Sequence, residues 1–449
     1  MRILPLLLTL AVAAFGGVEV AKIWSDQEIK ASETGEFLRF SLYKLEGNQT
    51  GATLLVVGGV HGDEPGGYFA PAILASHYTI KKGAVWVTPN LNAESIVRSR
   101  RGIYGDMNRK FFKIAEKDRD FDMVREIKKI ALDPQVDLIL NLHDGHGFYR
   151  ERWESTIFNP RAWGQTLVID QKTLADVKFG NMDEIAKRVT DNMGASLKEE
   201  HHFFRVKNTE TRYKDEEMQK SLTYFAVTNL KPAFGQETSK NIDALALKVE
   251  YHLRSIEEFM KVMDIEYERD FELNAKDIQA VLDDAGRLKI NDKISLELTE
   301  LRNIMRYVPL RGDNQDRFVF NHPLGAMKQT DDRYDIFIGN KRVSSFYPQF
   351  FGDDCKLGAI AVAIDGESRN AAIGDTIAIE KNFNIAPIDG VRVNVIGFSA
   401  KGSQNESNIT LAKKDMTARF SEDVRGSTYR VEFYRGGEFC GMINAKFIK

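Results

Sequence analysis

His61 and Glu64 stand three residues apart in Gly58-Gly-Val-His-Gly-Asp-Glu-Pro-Gly66, whose glycines and proline read as a strand-to-helix turn. At such a turn one metal ion can reach both side chains. A third donor, His143, lies in Asn141-Leu-His-Asp-Gly-His146. Two histidines and a carboxylate with the fourth position open form a catalytic zinc site, where a bound water ionises near pH 7. Each piece also has a plainer reading. His61 fits a turn residue bonded to backbone, and Glu64 a charge complementing a helix N-terminus. His143 fits a satisfied histidine at a strand end. What favours ligation is their joint placement after two strands of one expected sheet. His146, His201 and His202 are rival ligands and are set aside, the last two because they fall in a loop far from any strand end.

A hydrolytic zinc site also needs a general base that is not a ligand. Glu237, in Ala233-Phe-Gly-Gln-Glu-Thr238, follows a further short apolar segment and can face the same rim. Its alternative is an exposed residue before a helix capped by Thr238 or Ser239, and the residues alone do not separate the two. Arginines come next, in Arg98-Ser-Arg-Arg101 and Gly105-Asp-Met-Asn-Arg-Lys-Phe111. A guanidinium near a metal suits a substrate carboxylate, which it matches bidentately. For Arg98 and Arg100 a solvated basic loop is the better account.

These residues need a sheet to bring them together. Buried strand-like runs at 53–58, 84–88 and 136–142 alternate with helical stretches at 67–77, 121–132, 183–197 and 241–263. That alternation predicts an α/β domain, a mainly parallel or mixed sheet flanked by helices, over residues 20–262. Ligands in such sheets bind beyond the carboxyl ends of the strands. The texture then changes. Residues 267–350 hold one helix candidate, 275–285, among short alternating segments, and 356–449 are strand-like throughout. Two smaller β-rich domains follow, the last an immunoglobulin-like sandwich.

The 449 residues carry a formal net charge of −3 and no basic block, which gives no support to nucleic-acid binding. Arg2 followed by an apolar run from Ile3 to Phe15 reads as a secretory signal peptide over residues 1–17. Export through it predicts a periplasmic protein with no stable membrane span after cleavage. Two cysteines, Cys355 and Cys440, either pair in an oxidising compartment or remain separate buried thiols. Glu46-Gly-Asn-Gln-Thr50 and Glu406-Ser-Asn-Ile-Thr410 fit an extended acidic sequon, making Asn48 and Asn408 glycosylation candidates.

His61-x-x-Glu64, Asn108-Arg109, the distant His143 and the downstream Glu237 resemble, in order and spacing, the zinc metallocarboxypeptidases of the carboxypeptidase A-like superfamily. The signal peptide and two β-rich domains are similar to those of the peptidoglycan DL-carboxypeptidases that determine helical cell shape. The resemblance implies zinc on His61, Glu64 and His143, and Glu237 as general base and then acid. It implies Arg109 with Asn108 on the terminal carboxylate, and Arg101 on the scissile carbonyl and oxyanion. Trp163 and Thr223 would line the pocket for a diaminopimelate side chain. The implied partners are peptidoglycan muramyl peptides, and the implied reaction removes meso-diaminopimelate from muramyl tripeptide to leave a dipeptide. Some members of the group have glutamine where this chain keeps His61. The tyrosine that covers substrate in digestive carboxypeptidases has only Tyr224 as a candidate counterpart. Two other readings compete: a zinc amidohydrolase of the aspartoacylase and succinylglutamate desuccinylase type, and a non-catalytic wall-binding scaffold.

Overall fold

Strand β2 (Gln49–Val57) is buried from Ala52 onward on both of its faces. A continuous apolar run of this kind belongs inside a sheet covered on both sides. In the computed structural model, which describes residues 39–194, 197–312, 316–352, 354–400 and 402–448, that sheet has eight strands. They are β1 (Tyr43–Glu46), β2, β3 (Tyr78–Thr88), β4 (Leu138–Gly145), β7 (Thr166–Ile169), β8 (Arg205–Asn208), β9 (Ala233–Ser239) and β10 (Glu266–Arg269). A separate short pair joins β5 (Phe148–Tyr149) to β6 (Phe158–Asn159). The large sheet runs in the order β1-β3-β2-β4-β9-β7-β8, with β10 beside β1 on the outer edge of β3. Strands β3, β2, β4 and β9 are parallel, and β7 turns antiparallel to β9. The residues expected to form a signal peptide lie outside the described part of the chain.

The helices are α1 (Pro65–His77), α2 (Ala93–Val97), α3 (Phe121–Ala131), α4 (Met182–Gly194), α5 (Thr211–Lys214), α6 (Leu222–Thr228), α7 (Leu245–Val262) and α8 (Ala275–Asp283). Helix α1 is buried nearly all round and starts two residues before the expected Gly67. Pro65 at its first position explains this, because proline's fixed φ and missing N–H suit a helix start. Pleating separates α6 from α7. Gln236 of β9 bonds Tyr251 O of α7, whereas its neighbour Gly235 packs beside Thr223 of α6. Successive strand residues face opposite sides of a sheet, so the two helices cover opposite faces. Among the described residues no helix is long and apolar enough to cross a membrane.

Past α7 the chain does not leave this sheet at once. Strand β10 returns to β3, beyond the end expected near residue 262, and α8 packs against α7. A three-stranded sheet and a four-stranded sheet follow, spanning Arg287 to Phe351. Their apolar side chains are continuous with the core of the first sheet. The hairpin turn at Gly339 sits directly on α1, where a Cβ would come within 2.9 Å of the Phe69 ring. Residues from Ile360 to Phe447 form two four-stranded sheets enclosing a second core. This sandwich is closed by a disulfide between Cys355 and Cys440, the paired one of the two expectations for these cysteines.

Candidate metal centre and active site

The motif residues meet at the carboxyl ends of β2, β4 and β9. Between β2 and α1 the loop 58–64 is held close to the loop and helix that follow β3. Gly59 has φ +68°, and a Cβ on Gly62 would come within 1.9 Å of Ser95 O. Only glycine permits that approach, and it fixes His61 and Glu64 over the sheet edge. Strand β4 continues through Gly145, three residues past the expected end at Leu142. His143 is therefore presented by the strand itself. Glu237 likewise lies within β9 and not after it, as the direct register partner of His143. Neighbours in register on adjacent strands project to the same face, ~5 Å apart.

One oxygen or nitrogen from each of His61, Glu64 and His143 falls within 4.8 Å of the others, and all three residues are buried. His61 Nδ1 lies 3.0 Å from Glu64 Oε1, and His143 Nδ1 lies 2.8 Å from Glu64 Oε2. The two Nδ1 atoms are 3.2 Å apart. Burial works against charge on His61, yet Glu64 and Asp106 outweigh it and push its pKa up to about 9. Burial also opposes charge on Glu64, but His61 and His143 hold it well below the usual carboxylate range. Burial lowers the pKa of His143 and so favours its neutral ring, the form that ligates a metal. The donor set fits a catalytic metal.

The far ring nitrogens are held from behind. His61 Nε2 lies 2.7 Å from Asp106 Oδ1, and His143 Nε2 lies 2.9 Å from the Asn141 amide nitrogen. Asn141 Oδ1 is buried without a hydrogen bond. Turning that amide over puts the oxygen on the His143 N–H and satisfies both groups. Such outer partners fix which nitrogen is free for metal. Asp144, next in β4, accepts from Gly66 N and also meets Thr238 and His252, tying α1, β9 and α7 together beneath the site.

One cleft gathers every candidate residue: His61, Glu64 and His143 with Glu237, Arg101, Asn108, Arg109, Trp163 and Thr223. Glu237 has its pKa raised well above the ordinary range by burial and then by Glu64. Arg101 is less free than its expected role suggests. Its guanidinium bonds Glu64 Oε1 and Asp106 Oδ2, each at 3.0 Å. Asn108 Oδ1 accepts from Leu222 N and so anchors α6 to the turn Met107–Arg109. Arg109 reaches toward Glu217 at 3.7 Å. The Trp163 ring lies 4.0 Å from the Lys207 ammonium. Thr223 sits 3.1 Å from Ser221 Oγ.

His146 lines the cleft outside the ligand cluster, while His202 stacks on Phe148 and His201 meets that ring edge-on in a separate group. Tyr224 is not among the described cleft residues. Asp106, Asn141, Asp144 and Lys240 belong to the site and were not singled out from the sequence. Asp106 carried the clearest signal, two residues before Asn108 in the same motif.

Comparison with known proteins agrees with this geometry. The family described as the catalytic part of carboxypeptidases controlling helical cell shape matches residues 23–283. A second family, the C-terminal domain of metallo-carboxypeptidase, matches residues 353–448. The apo crystal structure of the cell shape determinant Csd4 from Helicobacter pylori is 34% identical. The match covers 91% of this chain and 100% of that one, with a TM-score of 0.86. The tripeptide-bound form of the same protein gives the same values. Its mDAP-bound form, described as a D,L-carboxypeptidase, matches at 34% identity and TM-score 0.86 over 90% of this chain and all of that one. No match emerges from the comparison with curated proteins. A cleft that joins a His-Glu-His donor set to a partly buried carboxylate and two arginines, on a fold shared over nine-tenths of its length, places this chain in the family of metallocarboxypeptidases that control helical cell shape.

Proposed function

We propose that this enzyme is a zinc-dependent DL-carboxypeptidase of the periplasm that trims peptidoglycan stem peptides, removing meso-diaminopimelate from muramyl tripeptide to leave a dipeptide. The observation that carries the reading is the register pairing of His143 with Glu237, which sets a partly buried carboxylate beside the ligand cluster. The tripeptide and mDAP complexes of the Helicobacter pylori protein supply the substrate class. In the same reading the catalytic domain runs past the expected end at 262 to take in β10 and α8, the β-rich segments up to Phe351 and from Ile360 are accessory domains, the last immunoglobulin-like, and residues 1–17 direct export.

His61, Glu64 and His143 would hold the zinc. When bound, the metal supplies Lewis acidity and a water of lowered pKa. Glu237, whose pKa burial has raised, takes the proton of the attacking water and passes it to the departing amine. Arg109, with Asn108 fixing its turn, binds the terminal carboxylate of diaminopimelate. Arg101 stands over Glu64 and stabilises negative charge growing on the scissile carbonyl oxygen. Trp163 and Thr223 flank the distal part of the diaminopimelate side chain.

The test is incubation of the zinc-loaded protein with purified muramyl tripeptide, read by mass spectrometry beside a Glu237→Gln control. Release of diaminopimelate by the unaltered protein alone supports the reading. An intact tripeptide with zinc bound points to another acyl-amide substrate. Failure to bind zinc favours a wall-binding scaffold.

A further inference from the structure

The cleft holds a cation that the reaction above does not use. Lys240 follows Glu237 by three residues, just past the end of β9, where its backbone N–H donates to Gly145 O at 2.7 Å. Its side chain is 16% exposed and lines the cleft. Nζ lies 2.7 Å from Asp63 Oδ2 and 3.8 Å from the ligand oxygen Glu64 Oε1. An ammonium has three donors, and the hydrogen bond to Asp63 takes one. Asp63 is one-third exposed, and an ion pair in contact with water is a weak hold. The ammonium is therefore placed, but free to turn toward a better anion.

The two arginines and the lysine of the cleft are disposed differently. Arg101 has its guanidinium spread over Glu64 and Asp106. Arg109 comes from the turn Met107–Arg109 and reaches toward Glu217. Lys240 comes from the end of β9 and bonds the loop before α1. Arg109 and Lys240 thus approach the ligand cluster from separate elements, one directed toward Glu217 and the other bonded to the loop before α1.

This inference rests on the proposed substrate. A D-glutamate joined through its γ-carboxyl keeps its α-carboxylate free, three carbons from the scissile carbonyl on the acyl side. An ordinary α-linked peptide has no charge there. With the terminal carboxylate on Arg109 and the carbonyl at the metal, the acyl side lies away from Arg109. An anion drawn into a cleft without a partner is costly, and Lys240 is the cation beside the ligand cluster still able to meet it. We propose that Lys240 is a specificity-determining residue that binds the free α-carboxylate of γ-linked D-glutamate, so that the enzyme reads the linkage on the acyl side as well as the terminal residue.

Two muramyl tripeptides test this, one with D-isoglutamate and one with D-isoglutamine, whose α-carboxyl is an uncharged amide. kcat and KM are measured for the zinc-loaded full chain, for Lys240→Gln and for Lys240→Arg, with zinc content determined for each. The unaltered enzyme should prefer the acid by about tenfold or more, the scale of one charged hydrogen bond. Lys240→Gln should raise KM for the acid far more than for the amide and erase the preference, and Lys240→Arg should keep it. Equal handling of acid and amide by the unaltered enzyme would overturn the assignment. So would an equal loss on both substrates in Lys240→Gln, which is what a purely structural lysine would give. If the unaltered enzyme cleaves neither tripeptide while binding zinc, the proposed function fails and this inference fails with it.

Discussion

The cleft and the C-terminal sandwich bury carboxylates in opposite ways. In the cleft, Glu64 lies among His61, His143 and Arg101, which outweigh its burial and keep it ionised. At the seam between the sandwich and the strands before it, Glu422 is buried near Arg430, but Glu432 and Asp423 are also close, and its pKa is pushed up to about 8. The first arrangement spends buried charge to hold a cation. The second favours the protonated form. Burial alone therefore marks no function; the partners decide whether the charge survives.

The cores differ in the same sense. Residues up to Phe351 share one apolar core around the first sheet, which keeps the cleft backed by α1 and α7. The sandwich has its own interior and a covalent bridge, and it offers Tyr434, Phe439 and Met442 from its outer face to the first core. Chemistry and fold stability should then separate by region, and four measurements press on that separation.

The largest effect should come from Glu237→Gln, which removes the proton-transfer group. It should lower kcat by about 10²–10⁴-fold while thermal unfolding of the sandwich stays in place; a shared loss of stability would undo the comparison. Next, replacing Cys355 and Cys440 together by serine should cost about 2–5 kcal/mol of stability, seen as a lower denaturation midpoint. The same variant should show little change in kcat/KM at temperatures where it remains folded.

Asp106→Asn tests the outer support of His61. Metal affinity or activity should fall by about 10–100-fold, measured by zinc competition with a chelator, with the denaturation midpoint of the sandwich unmoved. The last test concerns Glu422, whose effect depends on pH. Its pKa in the fold, about 8, stands above the ordinary 4.5, so the folded state binds the extra proton. Its stabilisation is complete below about pH 4.5 and is lost as pH rises toward 8. Glu422→Gln, which stays neutral, should raise stability at pH 8 and leave it nearly unchanged at pH 4.5. Urea denaturation at the two pH values measures this, and a gain of equal size at both would contradict it.

Asn48 and Asn408 are both exposed, but they are not equivalent. Glu406, the acidic residue of the second sequon, is buried and accepts the N–H groups of Val395 and Ala400. In the folded protein Asn48 therefore offers the more accessible motif.

Residue types and their short spacings were enough to single out His61, Glu64 and His143 as one candidate donor set, because a strand-to-helix turn and a strand end constrain what lies on them; Glu237 and Arg109 took their roles only from the family resemblance. The alternation of period-two and period-3.6 apolar runs likewise determined an α/β sheet followed by β-rich segments. What lies across the fold was not available from spacing. Asp106 supports His61 from 45 residues away, Arg101 clasps Glu64 from 37, and Lys240 reaches Asp63 from 177. The pairing of Cys355 with Cys440 spans 85 residues. Such partners are chosen by strand order and register. His143 and Glu237 become neighbours only because β4 and β9 pair in parallel at that register, and a shift by one residue would turn the carboxylate to the other face of the sheet.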